Sequence, residues 1–589
     1  MPPSSDHCKL PPQFSPADIR RVKTLAHQVG LTEIITSILF RRGIRDADAL
    51  KRFLDPGLRH LSPLEAWPGL IEAATLLAQC VQRKDPVVVW GDYDVDGVTA
   101  TTLVMDFFQR KHYPITSFIP SRFQEGYGLD QQAIDQLADT GIKVLVTVDC
   151  GINDHQAIEH AISRGMTVIV TDHHLPGSTL PPAQALVNPK LGTCPSPDLA
   201  GVGMAFLLMA ALNRLLPPRL DMRPFLDLVA LGTIADVVPL TGENRILVKN
   251  GLLVLKAGTR PGITGLKKVC SLPADAAIGS GSVGFSLAPR INAAGRLATA
   301  DTALDLLMAD QLETAAPLAN KLNRLNAQRK TIEQEIVEQA IHTFATHPDH
   351  VGLIFHEPDW HQGVLGIAAS RMVEHTYRPT ILLTTHNGLL KGSGRSIPGI
   401  HLVDCLNDCK ELLHSFGGHP MAAGLTLIPD NLAALCTCFN AAVAARCQEI
   451  PPQRPPLKGD AELSFDRITP VLLAELESLQ PFGPANPRPV FLSPPVTIQS
   501  VKSFGRNKHL AFQLRDETAS ITLRALAWRQ GDNPRFQQPK GATIRIAFTP
   551  YQSIYQGLVG IELTIKEIFP LEAASGSSTQ MPPSPLPST

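Results

Sequence analysis

PVVVW at 86–90 runs directly into GDYDVDG at 91–97, and the reading of this stretch decides the fold. Its first half is a nearly continuous apolar, β-branched run, the pattern of a strand buried on both faces of a sheet. Its second half brings Asp92, Asp94 and Asp96 to the carboxyl end of that strand, and Thr99–Arg110 follows as a crossover helix. The pattern repeats further along. KVLVTVD (143–149) ends in Asp149, Asp154–Arg164 suits a second helix, and TVIVTDHH (167–174) ends in Asp172, His173 and His174. Asp236 closes the helical segment Leu226–Ala235. Alternation of this kind predicts a doubly wound α/β domain with a parallel sheet over about Pro86–Val238. Ligands of such sheets bind outside the carboxyl ends of the strands, so these acids and imidazoles should meet in one crevice.

That crevice calls for positive charge. Two unit charges 4 Å apart repel by about 4 kcal/mol even at an effective dielectric of 20. Oxygen donors mixed with imidazole favour Mn²⁺ or Mg²⁺ over zinc. The acids suffice for two ions sharing a carboxylate, an arrangement suited to phosphoryl chemistry. A DxDxDG run also opens a calcium-binding EF-hand loop, but that loop needs Glu at its twelfth position and a helix upstream. Here the twelfth position is Leu103 and the upstream element is a strand. Helix capping accounts for single aspartates at strand ends, and it is a poor account of four such sites together.

Outward from this core, the polar stretch from Leu312 to Phe344 has one Pro near its start and no Gly, and reads as a long connecting helix. A second α/β unit follows, with strand GLIF (352–355), helix 363–374, strand TILLT (380–384) and then Gly-rich turns. VTIQSVKSF, LAFQLRD, ITLRALAW, TIRIAF and LVGIELTIKEI, between about Pro489 and Pro570, alternate as five short strands of an OB-like β-barrel. Both ends of the chain are rich in Pro and Ser, and disorder is expected there. The chain has 589 residues and a formal net charge of −1, so any grip on a polyanion must be local. One local patch is evident: ten Lys/Arg against three acids between Arg488 and Pro550, with Phe504, Phe512, Trp528 and Phe536 interleaved, as single-strand binding requires. Ten cysteines without metal-site spacing suggest a cytosolic chain with reduced thiols. The longest apolar run, about Leu199–Leu212, is too short for a membrane span of about 20 residues.

GDYDVDG, TVDCG, TDHH and GTIADVVPL, in this order, resemble the signature motifs of the DHH phosphoesterase superfamily. SRFQEGYG (121–128), PRINAAGR (289–296), WHQGVLGIAASR (360–371), GSGRS (392–396), FGGHPMAAG (416–424) and PFGPANPRPVF (481–491) are similar to its RecJ branch. The resemblance covers about residues 20–570. It implies a disordered start (1–20), a DHH catalytic domain with an N-terminal helical extension (21–310), and a connecting helix (311–345). A DHH-associated domain (346–450), an OB-fold domain (451–570) and a disordered tail (571–589) complete it.

The resemblance also assigns roles. Asp96, Asp149, His173 and Asp236 would bind one Mn²⁺ or Mg²⁺, and Asp94 and a bridging Asp149 the second, helped by Asp92. Asp94, Asp96, Asp149 and His174 would be catalytic, with His174 facing the scissile phosphate and Asp172 orienting a neighbouring histidine. Arg122, Tyr127, Arg290, Asn292, Arg296, Arg371, Ser393, Arg395, Gly418 and His419 would hold nucleic acid. In one respect the sequence departs from the pattern: small DHH phosphatases carry a ligand His where Trp90 stands. The implied activity is 5′→3′ degradation of single-stranded DNA to mononucleotides, in repair and recombination, by a monomer in a bacterial cytoplasm. Single-strand-binding protein and a RecQ-type helicase are the implied partners. A DHH phosphodiesterase acting on short oligonucleotides or cyclic dinucleotides would lack the long helix and the basic barrel. A non-catalytic replication scaffold would have eroded carboxylates, and here all are present.

Overall fold

The structure, a computed structural model, describes residues 8–123, 126–273, 278–345, 349–449, 454–555 and 558–571. The described residues form two compact units. Those between 56 and 453, with 481–487, make one; those between 3 and 55, with 454–480 and those from 488 onward, make the other.

The first unit is built on β1 (Val87–Trp90), β2 (Ile115–Phe118), β3 (Val144–Val148), β4 (Thr167–Thr171) and β5 (Ala185–Val187). They pair in the order β2-β1-β3-β4-β5, all parallel. Successive residues point to opposite faces of a strand, so each strand feeds two cores. Val87, Val89, Val144, Val146 and Val148 enter one apolar cluster with Phe107, Leu208 and Phe225. Val88, Trp90, Leu145, Val168 and Val170 enter the other with Ile134 and Ile158. This double burial is why the strands read as unbroken apolar runs. The strand order reverses between β1 and β3, and there the crevice opens, as in other sheets of this order.

Beyond the helix Leu312–Phe344, β6 (Leu353–His356), β7 (Thr380–His386), β8 (Leu389–Arg395), β9 (Ser415–His419) and β10 (Ala422–Leu427) form a mixed sheet ordered β6-β7-β8-β10-β9. The segments expected to be Gly-rich turns are strands here. GSGRS supplies most of β8, and GGH and AAG lie on the paired strands β9 and β10. The glycines serve close packing: a Cβ on Gly392 would lie 2.4 Å from the Leu383 side chain. PRINAAGR lies in the helix Ala288–Leu297 with Pro in its first turn, where a missing N–H costs nothing.

In the second unit β11 (Ala461–Glu462) and β12 (Phe491–Leu492) lead into β13 (Val496–Phe504), β14 (His509–Asp516), β15 (Ile521–Ala527), β16 (Thr543–Tyr555) and β17 (Leu558–Pro570). The last five pair in a closed circuit, β13-β14-β15-β17-β16 and back to β13. The N-terminal residues differ from expectation twice. Residues 8–20 are ordered: Lys9 donates to the Leu457 carbonyl at 2.8 Å, Cys8 and Leu10 pack beside Leu492 and Phe569, and Ser15 caps the helix Pro16–Val29. Residues up to Asp55 also belong with the barrel and not with the DHH domain. Thr32 shows why, since its N–H and hydroxyl both donate to the Glu475 carboxylate, at 2.9 and 2.5 Å. Residues 1–7 and 572–589, where disorder was also expected, lie outside the described residues. Among the described residues no helix is long and apolar enough to cross a membrane.

The helices Leu226–Ala235 and Gly242–Ala257 pack closely at Gly251, where a Cβ would lie 2.1 Å from the Leu226 carbonyl oxygen. Backbone cannot yield there, so Gly251→Ala should destabilise the unit by about 1–3 kcal/mol. A fall of several degrees in the thermal midpoint is expected. An unchanged midpoint would show that these helices separate without cost.

Candidate metal centre and anion-binding crevice

Each acid is presented by a different local device. Asp94 caps the helix Val95–Arg110, accepting from the Gly97 N–H at 3.0 Å. The capping explanation weighed for single aspartates thus holds for this one, which still reaches the cluster. Asp96, two residues on, faces the start of the helix Gly201–Leu215; its oxygens accept from Gly201 N–H at 2.7 Å and Val202 N–H at 3.0 Å. Those are donors a helix leaves unused at its N-terminus. Asp149 follows β3 in the left-handed region at φ 63°, a conformation that costs a non-glycine residue about 1–3 kcal/mol and recurs at functional sites. Asp236 caps the C-terminus of Leu226–Ala235, and Val237 beside it has φ 64°. Gly232 leaves the needed room: a Cβ there would lie 2.7 Å from Asp96 Oδ1.

The structure brings all the acids and imidazoles expected at the metals into one crevice. Three overlapping sets have potential ligand atoms within 4.8 Å of one another: Asp92, Asp94 and Asp149; Asp96, His173 and Asp236; Asp149, His173 and His174. Asp149 and His173 recur among them. His173 Nε2 lies 3.0 Å from Asp149 Oδ1, 3.6 Å from Asp236 Oδ2 and 3.8 Å from Asp96 Oδ2. Yet His173 Nε2, Asp149 Oδ1, Asp236 Oδ2 and Asp92 Oδ1 are all buried without a hydrogen-bond partner. Buried polar atoms are nearly always paired. Unpaired lone-pair donors converging from several elements fit divalent cations, and the oxygen-rich set suits Mn²⁺ or Mg²⁺.

The electrostatics agree. Burial, with the charge of neighbouring aspartates, pushes Asp92 up to about 8, Asp96 to about 7 and Asp236 to about 9, and raises Asp149 well above the carboxylate range. Burial and the charge of His174 lower His173 to about 3, which keeps its nitrogen lone pair available. His174 behaves oppositely. Burial opposes its protonation, but the 2.7 Å bond from Nδ1 to Asp172 and that carboxylate's charge push it up to about 9. Asp172 also accepts from the backbone N–H of Ile152, His173 and His174, so it fixes the imidazole while Nε2 remains for a ligand. The Tyr127 hydroxyl stands 3.3 Å from the same Nδ1. Trp90 points away from the acids, stacking on Phe118 at 4.2 Å and donating to the Gly128 carbonyl. No imidazole enters the Asp92 side of the crevice from that position.

Arginines gather beside the acids. Arg122 lies 4.1 Å over the Tyr93 ring with its Nε buried and unpaired. Arg296 is lowered to about 10 by burial and by Arg122, Arg329 and Arg395, and Arg395 is lowered by burial and Arg122. Close packing holds the groups together. A Cβ on Gly295 would lie 2.5 Å from the Tyr93 carbonyl, one on Gly363 2.1 Å from the Arg296 carbonyl, and one on Gly366 2.8 Å from the Arg395 guanidinium. Ser393 Oγ is 3.1 Å from Arg395. Like charges concentrated in this way need an anion. Arg329, on the connecting helix, adds its charge to the group while bonded to Glu333 at 2.6 Å and to Asn326 at 3.0 Å; sequence reading missed it, because nothing in a long polar helix marks one of its two arginines.

Other expected contacts are elsewhere. Arg290 donates to Asn323 and to the Ser286 carbonyl, tying its helix to the connecting helix. Arg371 is held by Glu333 and Glu374. Asn292 is half-buried on the helix of Arg290, whereas Gly418, His419 and Tyr127 are exposed. In the barrel Phe512 and Phe536 are core residues, while Phe504, His509 and Trp528 form a surface cluster with centroids 5.0–5.5 Å apart. Hollows beside that cluster are lined by Lys502, Arg524, Lys508 and Arg529.

Comparison with known proteins agrees with this geometry. The chain matches the DHH family, N-terminal domain over residues 86–233, the DHHA1 domain over 348–445 and the RecJ OB domain over 459–567. It is 39% identical over 489 residues to the single-stranded-DNA-specific exonuclease RecJ of Escherichia coli, covering 78% of this chain and 83% of that protein. It is 36% identical to the protein of that name from Haemophilus influenzae, covering 86% and 91%. With the one from Bacillus subtilis the identity is 37%, over 86% of this chain and 64% of that protein. The crystal structure of RecJ in complex with Mn²⁺ from Thermus thermophilus superposes with a TM-score of 0.81 at 32% identity, covering 96% of this chain and 80% of that one. A Mg²⁺ complex of that RecJ gives 0.74 at 31% identity, covering 96% and 79%. With its crevice of unpaired acids, its arginine cluster and its closed circuit of barrel strands, the chain belongs to the RecJ family of DHH proteins.

Proposed function

We propose that the chain is a metal-dependent exonuclease that hydrolyses single-stranded DNA from its 5′ end, releasing mononucleotides in repair and recombination. The observation that carries the reading is the crevice itself: buried, unpaired carboxylate and imidazole atoms beside a cluster of like-charged arginines. Asp96, His173, Asp236 and Asp149 would hold one Mn²⁺ or Mg²⁺, and Asp92, Asp94 and Asp149 the other. Divalent ions bound there supply positive charge to the phosphoryl oxygens and a nucleophile at neutral pH. His174, held by Asp172, presents its protonated face to the scissile phosphate and stabilises charge developing on it. Arg122, Arg296, Arg395 and Ser393 grip a terminal 5′-phosphate one nucleotide away, which sets both the polarity and the size of the product. A dianionic monoester satisfies several guanidinium groups better than an internal diester does.

In the barrel, the cluster of Phe504, His509 and Trp528 between basic side chains suits bases stacked without regard to sequence. The family reading adds a monomer in a bacterial cytoplasm, with single-strand-binding protein and a RecQ-type helicase as partners.

Asp149→Ala should abolish hydrolysis, because Asp149 serves both ligand sets. Its metal-free form should unfold no earlier than the parent, since a buried carboxylate repelled by neighbouring aspartates is removed, although alanine inherits the left-handed backbone. Activity is measured on labelled single strands with Mn²⁺ after chelation and restoration. Retention of more than about a tenth of the rate, a loss of only about 1.4 kcal/mol in the barrier, would contradict the bridging role.

Arg395→Ala separates the terminal pocket from the chemistry. On 5′-phosphorylated strands kcat/KM should fall by at least about tenfold, as expected for a lost charge-assisted contact. On 5′-hydroxyl strands the loss should be under about threefold. Equal losses on both substrates would mean that Arg395 does not read the strand end.

A further inference from the structure

We propose that Cys409 and Cys438 are a redox-active dithiol that closes reversibly to an intramolecular disulfide. All ten cysteines of the chain are free thiols. These two stand apart because their Sγ atoms are 2.7 Å from each other, so closing to the bonded distance needs a movement of about 0.7 Å. The pair lies in the second α/β lobe, in and beside its apolar cluster. Cys409 follows the helix Leu402–Asn407 and is buried in the apolar cluster of that lobe; Cys438 is half-buried on the helix Leu432–Glu449 and packs against the same cluster. Neighbouring contacts hold the two segments together. The Cys438 thiol donates to the Asp408 carbonyl at 3.7 Å, and Arg446, two turns along the helix, bonds the Asp408 carboxylate at 2.7 Å.

The difference in exposure orders the chemistry. A small disulfide, RSSR, meets Cys438 first. Its thiolate attacks one sulfur, expels RS⁻ and becomes a mixed disulfide. Cys409, deprotonated, then attacks the Cys438 sulfur and expels the second RS⁻. The balance is two protein thiols and one RSSR giving one protein disulfide and two RSH. Burial, and then the hydrogen bond with Cys438, raise the Cys409 thiol above its usual range, so the second step is the slower one. In a reducing compartment such a bond is transient. The closed loop encloses β9 and β10, and with them Gly418 and His419. Oxidation therefore ties off the hairpin that carries the GGH motif, and reduction releases it.

The test uses the whole chain in its native state, treated with oxidised glutathione, alkylated, and digested with trypsin without reduction. The expected product is one cross-link between peptides 396–410 and 411–446, lost on treatment with dithiothreitol. These peptides also contain Cys405 and Cys436, so variants assign the bond. Cys405→Ser and Cys436→Ser should keep the cross-link; Cys409→Ser and Cys438→Ser should each abolish it. Phenylarsine oxide, which bridges paired thiols, should protect the same two cysteines from alkylation in the reduced chain. Cys438 is half-exposed, so its variant remains informative if Cys409→Ser fails to fold. Glutathione that stays on Cys438 without a cross-link, or a cross-link that survives Cys438→Ser, would overturn the proposal.

Discussion

Like charges held close together in a buried crevice govern this molecule. Asp92, Asp94 and Asp96 arrive from one segment, Asp149 from the end of β3 and Asp236 from the end of a helix, and burial withdraws the water that would otherwise screen them. Each pair at 4 Å carries about 4 kcal/mol of repulsion at an intermediate dielectric, and the unpaired lone pairs add the cost of desolvation. The surrounding fold sustains that arrangement. A parallel sheet with apolar clusters on both faces fixes the strand ends, a helix N-terminus supports Asp96, and a left-handed backbone aims Asp149. Cation binding and folding stability are therefore linked quantities, because any ion that binds the folded crevice and not the unfolded chain shifts the equilibrium toward folding.

A second field of opposite sign lies against the first. Arg122, Arg296 and Arg395 come from three elements of two lobes, and burial, with mutual repulsion, lowers the basicity of Arg296 and Arg395. Acids concentrate cations and arginines concentrate phosphate. Cations bound among the acids would relieve the first repulsion, and an anionic strand end bound among the arginines would relieve the second. Affinity for such a ligand comes from removing stored repulsion as well as from making new contacts.

The crevice was legible in the sequence because doubly buried strands read as unbroken apolar runs and end abruptly in Asp and His. Thr99–Arg110 and the long polar helix were equally plain. The short strands Ile115–Phe118 and Ala185–Val187 were not, since edge strands are short and partly exposed and leave little pattern. The GSGRS and GGH segments misled for a physical reason: glycine punctuates turns in most contexts, but here it lets strands and side chains approach. Arg290 and Arg371 looked like phosphate ligands by motif, and only the fold shows them occupied by Asn323, Glu333 and Glu374. Pairing at long sequence separation is what one-dimensional reading lacks.

The same gap hid the allegiance of residues 8–55, which fold with the barrel and not with the adjacent domain. That allegiance has a kinetic side. At a synthesis rate of about 5–20 residues per second, the N-terminal helices leave the ribosome on the order of half a minute or more before their partner strands exist. Throughout that interval Val22, Leu25, Ile38 and Leu39, buried in the finished chain, have no barrel to cover them. The α/β unit, whose parallel sheet is contiguous in sequence, can meanwhile form that sheet, and residues 481–487 join the unit later. The nascent chain thus carries an unfinished, sticky leader, a natural client for a chaperone, until the last strand is released.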